Sequence, residues 1–349
     1  MSSTSDPKPE PPYVKGFKWS IRSHIPPPLS EGQYHDGWKR GLSDSYVQNT
    51  KQSELVLNHP PVETPSPHNP KQADLTVVEA IRAGYDRGAQ ILLCAVDSPA
   101  FEGSNNADSP GNPFLVVAKV YDALYYRSYD YNWGGATDVV NTADTEYSQE
   151  AGAYEYLETE KQTGGFAPKY FGSWTFNLLF ERSGETLQRP VRLILIEYIP
   201  GKPMTKLTPS DYSKEYKLEI IARLLDELMK QLCTTLVQND LAPRNVIIVP
   251  AENGTDQIAR IVLIDYGMAR IFSKSWIGSS WPRDRLPMNP IRYCWNETLE
   301  YFNNWIPDEW YSDLKLWREW LVSRFGGETL KLYDNMGKMP EIDEHWPYN

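Results

Sequence analysis

The chain has almost no cysteine. Cys94, Cys233 and Cys294 are the only three among 349 residues, and no two stand in a CxxC spacing. A disulfide framework and a cysteine-built zinc site are thereby excluded. Histidine is nearly as scarce, with four of the five before residue 70, so the body of the chain offers no histidine base. No run approaches the roughly 20 apolar residues that span a bilayer. No apolar stretch follows a basic N-terminal patch either, so no signal peptide is expected. Positive charge is outnumbered: 35 Lys and Arg face 46 Asp and Glu, for a net charge of −11. That balance argues against a nucleic-acid or anionic-membrane partner. A reducing, cytoplasmic setting fits these absences.

What is present is enough for a packed core: 40% hydrophobic and 23% charged residues over a length that suits one large or one two-lobed domain. Residues 1–70 hold 12 of the 28 prolines, including Pro26-Pro27-Pro28 and Pro60-Pro61. Such runs exclude regular helix and predict an extended arm, whose Phe17, Trp19 and Trp38 could dock on a folded surface. From residue 74 the pattern changes. Val77–Ile81, Ile91–Val96 and Phe114–Val120 read as strands, with a Gly/Asn/Ser/Pro loop over Ser98–Pro113. Residues 145–158 read as a helix. Val191–Ile196 reads as a strand stopped by Pro200-Gly201. Leu218, Ile221, Leu225, Leu228 and Leu232 step by three and four, predicting one long amphipathic helix over Lys214–Val237. Two short strands follow, Val246–Val249 and Ile261–Ile264, separated by the turn-like Glu252-Asn253-Gly254. In the tryptophan-rich tail, Trp310, Leu314, Trp317 and Leu321 share a helical face and are expected in the core.

The chemistry concentrates around those two short strands. Asp240 and Asn245 lie five positions apart, on a loop between the long helix and a strand. A carboxylate there can orient or deprotonate a hydroxyl, and a carboxamide oxygen can ligate Mg²⁺. Asp265 stands where the run Ile261-Val262-Leu263-Ile264 ends, with Gly267 permitting a sharp turn. A hard cation needs such an oxygen donor on a rigid element. Each pattern alone is common; an Asx turn or a solvated loop carboxylate is the plain alternative.

The set in order resembles the protein-kinase-like superfamily, which includes protein kinases and the aminoglycoside and choline phosphotransferases. Gln238-Asn239-Asp240 through Asn245 resembles the catalytic loop, and Asp265-Tyr266-Gly267 resembles D-F-G. Val117-Ala118-Lys119-Val120 resembles V-A-I-K, and Glu150 falls in the helix after it, with Glu146 and Glu155 near by. Ile194–Pro200 looks like the adenine-holding hinge strand. The wording Asp240-Leu241-Ala242-Pro243-Arg244-Asn245 is also similar to uncharacterised fungal kinase-like proteins. The resemblance covers residues 74–272 and implies an α+β, two-lobed protein-kinase-like fold with a short helical C-lobe. The expected layout is a proline-rich arm over 1–73, an N-lobe over 74–200 and a C-lobe over 201–349. It further implies ATP and Mg²⁺ as cofactors. Lys119 would contact the phosphates and Glu150 would fix it. Asn245 and Asp265 would hold the metal, Asp240 would orient the attacking hydroxyl, and Glu197 and Ile199 would present backbone groups to adenine beside Ile196.

The sequence also departs from that pattern. Gln238 stands where the family has histidine. The loop Arg82–Ala89 carries only Gly84 and Gly88 to cradle phosphate, not G-x-G-x-x-G. No A-P-E segment follows Gly267, and no large helical insertion precedes Asp240 to build an acceptor site. The expected function is an ATP- and Mg²⁺-dependent phosphotransferase acting on a hydroxyl, of a small molecule rather than a protein. The alternative is a pseudokinase-type binding or regulatory protein that uses the arm or the tail for a partner.

Overall fold

The computed structural model describes residues 8–29, 41–97, 113–131, 134–182, 184–251, 257–274 and 285–346. The expected loop over Ser98–Pro113, the turn at 252–254 and Trp38 lie outside them, apart from Pro113. The described residues divide into two compact units. Those up to Glu155 together with Lys169–Tyr198 form the first; Tyr156–Pro168 together with those from Ile199 form the second.

The first unit contains β1 (Lys18–Ser23), α1 (Asp44–Asn49), α2 (Gln52–Asn58), β2 (Gln72–Arg82), β3 (Gln90–Asp97), β4 (Phe114–Tyr121), the short pair β5 (Tyr129–Asp130) and β6 (Gly135–Ala136), α3 (Val139–Thr159, which runs on into the second unit), β7 (Tyr170–Arg182) and β8 (Glu185–Glu197). Six of the strands close into an antiparallel barrel in the order β1-β2-β3-β4-β8-β7. This overturns the expected two-lobed protein-kinase-like fold, while the coarser α+β class stands. The physical reason lies in the arm. Residues Lys18–Arg22 pair with β2, and Arg22 and Ser23 pair with β7, so β1 occupies both edges that would otherwise be open. Closure satisfies backbone groups that an open sheet leaves unpaired.

Register explains the strand composition. Leu75, Val77, Leu92, Cys94, Val116, Ala118, Val120, Leu193 and Leu195 share one face through the pairings Val77↔Cys94, Leu92↔Ala118 and Ala118↔Leu195, and all are buried. The opposite face carries Lys119, Tyr121 and Ile194, and there Lys119 and Tyr121 meet α3 through Glu150. The first face is therefore the barrel interior. The run Leu193–Ile196 is apolar throughout because β8 is covered on both faces there. Within β1 only Ile21 is buried, contributing about 1.5–3 kcal/mol, while its neighbours Ser20 and Arg22 are exposed. Phe17 stacks on Trp19, which rests against Phe176 of β7. Tyr13 donates to Asp122 Oδ2 at 2.5 Å, and Arg189 grips the same carboxylate with both terminal nitrogens.

The second unit holds β9 (Lys202–Pro203), α4 (Lys214–Cys233), β10 (Leu236–Val237), β11 (Val246–Pro250), β12 (Ile258–Leu263), β13 (Arg270–Ile271), α5 (Pro290–Cys294), α6 (Glu309–Ser312) and α7 (Leu314–Phe325). Ser213 caps α4 by accepting from Tyr216 N at 3.2 Å. The helix buries Ile221, Leu225 and Leu228 as its periodicity predicts, but it stops before Val237. Thr235 takes a φ of 70°, and Leu236 and Val237 leave the helix to pair with β13. β11 lies between β12 and β9. Gly201 is required beside it, because a Cβ there would sit 2.5 Å from the Ile248 carbonyl oxygen. The tryptophan stripe is broken between α6 and α7 at Asp313, whose Oδ1 accepts from Lys315 N. Trp310, Trp317 and Leu321 are nonetheless buried, and the indole of Trp317 donates to the Cys294 carbonyl at 2.7 Å.

Candidate functional site

In the first unit, β4 presents Lys119 and Tyr121 on the same outer face because they are two residues apart. The Lys119 ammonium pairs with Glu150 Oε2, and Tyr121 donates to the same oxygen at 2.7 Å. Lys119 is 6% exposed and Glu150 1%. Of the neighbouring helix carboxylates, Glu146 accepts from Tyr126 instead, at 2.8 Å. Burial first, and then the Glu150 charge, hold the Tyr121 phenol well above its ordinary pKa, so it remains a donor. The pair is thus a hydrogen-bonded, desolvated charge pair, in which removal of one partner strands the other. Tyr121 has no counterpart among the residues singled out from the sequence; its position two after Lys119 was the available signal.

The turn between β2 and β3 carries Gly84 at φ 120° and Gly88 at φ 67°. Its geometry is set by Gln90, whose Oε1 accepts from Gly84 N at 2.6 Å and whose Nε2 donates to Gly88 O at 3.1 Å. The Gly84 amide is therefore already spent within the turn. At the end of β8, Glu197 N donates to Lys169 O and Glu197 Oε2 accepts from Lys169 N, both at 2.9 Å. Ile196 beside it is buried.

In the second unit the loop 238–245 and the loop 264–269 are laced together. β10 pairs with β13, Ile264 N donates to Asn245 O at 2.9 Å, and Asn239 Nδ2 donates to Met268 O at 3.1 Å. Gln238 completes the lacing: its buried Nε2 donates to the Ile264 carbonyl and, at 3.3 Å, to that of Asp265. Asn239 at φ 60° and Asp265 at φ 68° occupy the left-handed region, a conformation that persists where surroundings enforce it. Ile199, which also falls in this unit, accepts from Gly201 N at 2.8 Å.

The side chains of the first loop form a small network. Asn245 Nδ2 donates to both the carbonyl and Oδ2 of Asp240, each at 2.8 Å. Arg244 pairs with the remaining carboxylate oxygen. With its amide nitrogen committed, Asn245 keeps Oδ1 as an acceptor, and no donor meets it among the described residues. A hard cation fits that donor set: a carboxamide oxygen and the Asp265 carboxylate on adjoining loops. Mg²⁺ takes few protein ligands and completes its octahedron with phosphate and water oxygens. Among the described residues no group of three His, Cys, Asp or Glu side chains forms an all-protein cage.

Leu241, next to Asp240, also lines a cavity of about 180 Å³ walled by Tyr293, Glu297, Thr298, Glu300 and Tyr301. The sequence leaves the acceptor site open to completion by the N-terminal arm or the tryptophan-rich tail. Sequence reasoning missed Arg244, the partner of Asp240, and Gln238 as a tie between the loops.

No protein-family model matches the chain, and no curated protein is significantly similar to it. Among the described residues no helix is long and apolar enough to cross a membrane.

Proposed function

We propose that the protein is an ATP- and Mg²⁺-dependent phosphotransferase that acts on a hydroxyl group, of a small molecule in preference to a protein. The observation that carries this reading is the loop pair in which Asp240, Asn245 and Asp265 are held by backbone and Gln238 ties. Phosphoryl transfer demands positioning and charge neutralisation more than covalent assistance. When bound, Mg²⁺ neutralises phosphate charge. Asn245 and Asp265 of the second unit would hold it. In the first unit Lys119, fixed by Glu150, is a cation of the kind that contacts nucleotide phosphates. Asp240 would receive the acceptor hydroxyl. Its carboxylate is presently engaged by Arg244, but Arg244 is 61% exposed, and an exposed ion pair is worth about 0–1 kcal/mol. A hydroxyl can displace it at little cost. The cavity beside Leu241 is the acceptor pocket on this reading. The three cysteines, free and two of them buried, suit a reducing, cytosolic setting.

The test is turnover of ATP across a panel of hydroxyl compounds. Asp240→Asn should keep nucleotide binding and lose transfer; unchanged transfer would remove Asp240 from the mechanism. One observation favours a second reading, a pseudokinase-type binder: the Gly84 amide is taken by Gln90, which weakens the phosphate cradle. Nucleotide binding with no transfer to any acceptor would support it.

A further inference from the structure

Helix α3 carries Glu150, and the segment preceding β2 grips the same helix at three positions. Val62 N donates to Asp144 Oδ2 at 3.2 Å. His24 Nδ1 shares a hydrogen bond with the Tyr147 hydroxyl at 2.8 Å, while its Nε2 meets Thr64 Oγ1 at 3.1 Å. Leu29 lies over Gly152 so closely that a Cβ there would stand 2.6 Å from Leu29 Cδ2. At 3.6 residues per turn, positions 144, 147 and 152 span a little over two turns of the helix and an arc of about 140°. The segment is itself anchored: His24 N donates to Ser173 O at 2.9 Å, and Arg192 reaches Val62 O and Glu63. The Tyr147 ring then leans on Tyr121, 5.4 Å between centroids, and Tyr121 donates to Glu150.

We infer that this segment is a built-in brace that sets the position of helix α3, with His24 and Leu29 as positioning residues for the Glu150–Lys119 pair. The contacts bracket Glu150 on one helix, and the His24 contact leads through Tyr147 and Tyr121 to the carboxylate. A lining that served only to cover the barrel has no need to hold α3 at three points. Gly152 fits the same account, since any larger residue would displace Leu29.

The inference concerns the pair itself; only its consequence for nucleotide binding rests on the proposed function. The experiment therefore uses two readouts on the full chain bearing His24→Ala and Leu29→Ala together. The first is acylation of the Lys119 amine, followed by mass spectrometry, beside amide exchange of α3 and of β3 and β4. Acylation of Lys119 and exchange over 144–152 should rise by roughly tenfold, the change expected from losing one hydrogen bond. The β3 and β4 amides should stay as protected as in the wild type. Glu150→Gln, which removes the partner charge, calibrates the acylation. Leu29→Met, which keeps the volume, should restore protection when it replaces Leu29→Ala. Unchanged acylation and exchange in a folded double variant would overturn the brace, and so would a uniform loss of protection across α3 and the barrel strands. Should the double variant fail to fold, Leu29→Ala alone is read by the same two criteria. The second readout is the dissociation constant of Mg·ATP, which should weaken in step with acylation. If the wild type binds no nucleotide while the first readout behaves as stated, the proposed function fails and the brace stands.

Discussion

The two units each hold a carboxylate–cation pair, and the pairs differ in every physical respect except charge. Lys119–Glu150 is nearly sealed, with side chains 8% and 1% exposed, and Tyr121 donates to the same carboxylate. Arg244–Asp240 is open, with side chains 61% and 25% exposed, and the carboxylate is shared with Asn245. Water screens the second pair and leaves it exchangeable, whereas the first has lost its hydration and must keep its partner. The contrast separates two tasks. The Lys119–Glu150 pair is buried and held fixed; on the proposed function, Asp240 receives an incoming hydroxyl and keeps a partner it can release.

The contrast can be broken at its strong end first. Lys119→Ala removes the cation paired with the buried Glu150, and should destabilise the protein by about 3–5 kcal/mol in denaturant titration at neutral pH. A loss below about 1 kcal/mol, the range of exposed pairs, would erase the distinction. Gln238→Ala removes the tie to the Ile264 and Asp265 carbonyls and should cost about 1–3 kcal/mol. The same change should loosen the amides of both loops in hydrogen exchange before those of α4.

A pH effect follows from the brace. Burial first, then the Arg192 and Arg22 charges, lower the His24 pKa from its ordinary 6.5 to about 3. The unfolded chain therefore binds a proton that the native state refuses between those values. Stability from this group is complete above pH 6.5 and is lost as pH falls from 6.5 towards 3. Unfolding free energies of the wild type and His24→Gln, measured down that range, should show a shallower acid slope in the variant. The smallest effect belongs to the open pair: Arg244→Ala should change stability by about 0–1 kcal/mol, and more would mean the pair is less exchangeable than its exposure indicates.

Local signals carried much of this structure into the sequence. The β-type runs from Val77 to Val120, the run Val191–Ile196 and the three-four spacing of Ile221, Leu225 and Leu228 each formed where hydrophobic pattern and burial coincide. β1 was illegible because its partners are 50 or more residues away, as in Lys18↔Thr76, and its proline-flanked six residues bury little. β7 was missed despite an aromatic-rich run ending at Ser183-Gly184, a hairpin signal of the ordinary kind. Barrel closure depends on both strands, so the fold class was misread through them. In the site, charged and carboxamide residues stood out by spacing. Gln238, Tyr121 and Arg244 act by touching another side chain or a distant carbonyl, which spacing along the chain does not display.

Thermal unfolding of the wild type and Asp265→Asn with ATP, in the presence and absence of Mg²⁺, bears most directly on the laced loops as a metal–nucleotide site. The account predicts a rise in the wild-type Tm with ATP that requires Mg²⁺ and is lost in Asp265→Asn. A wild type whose Tm does not respond to Mg²⁺ with ATP, or a variant that responds equally, would contradict it.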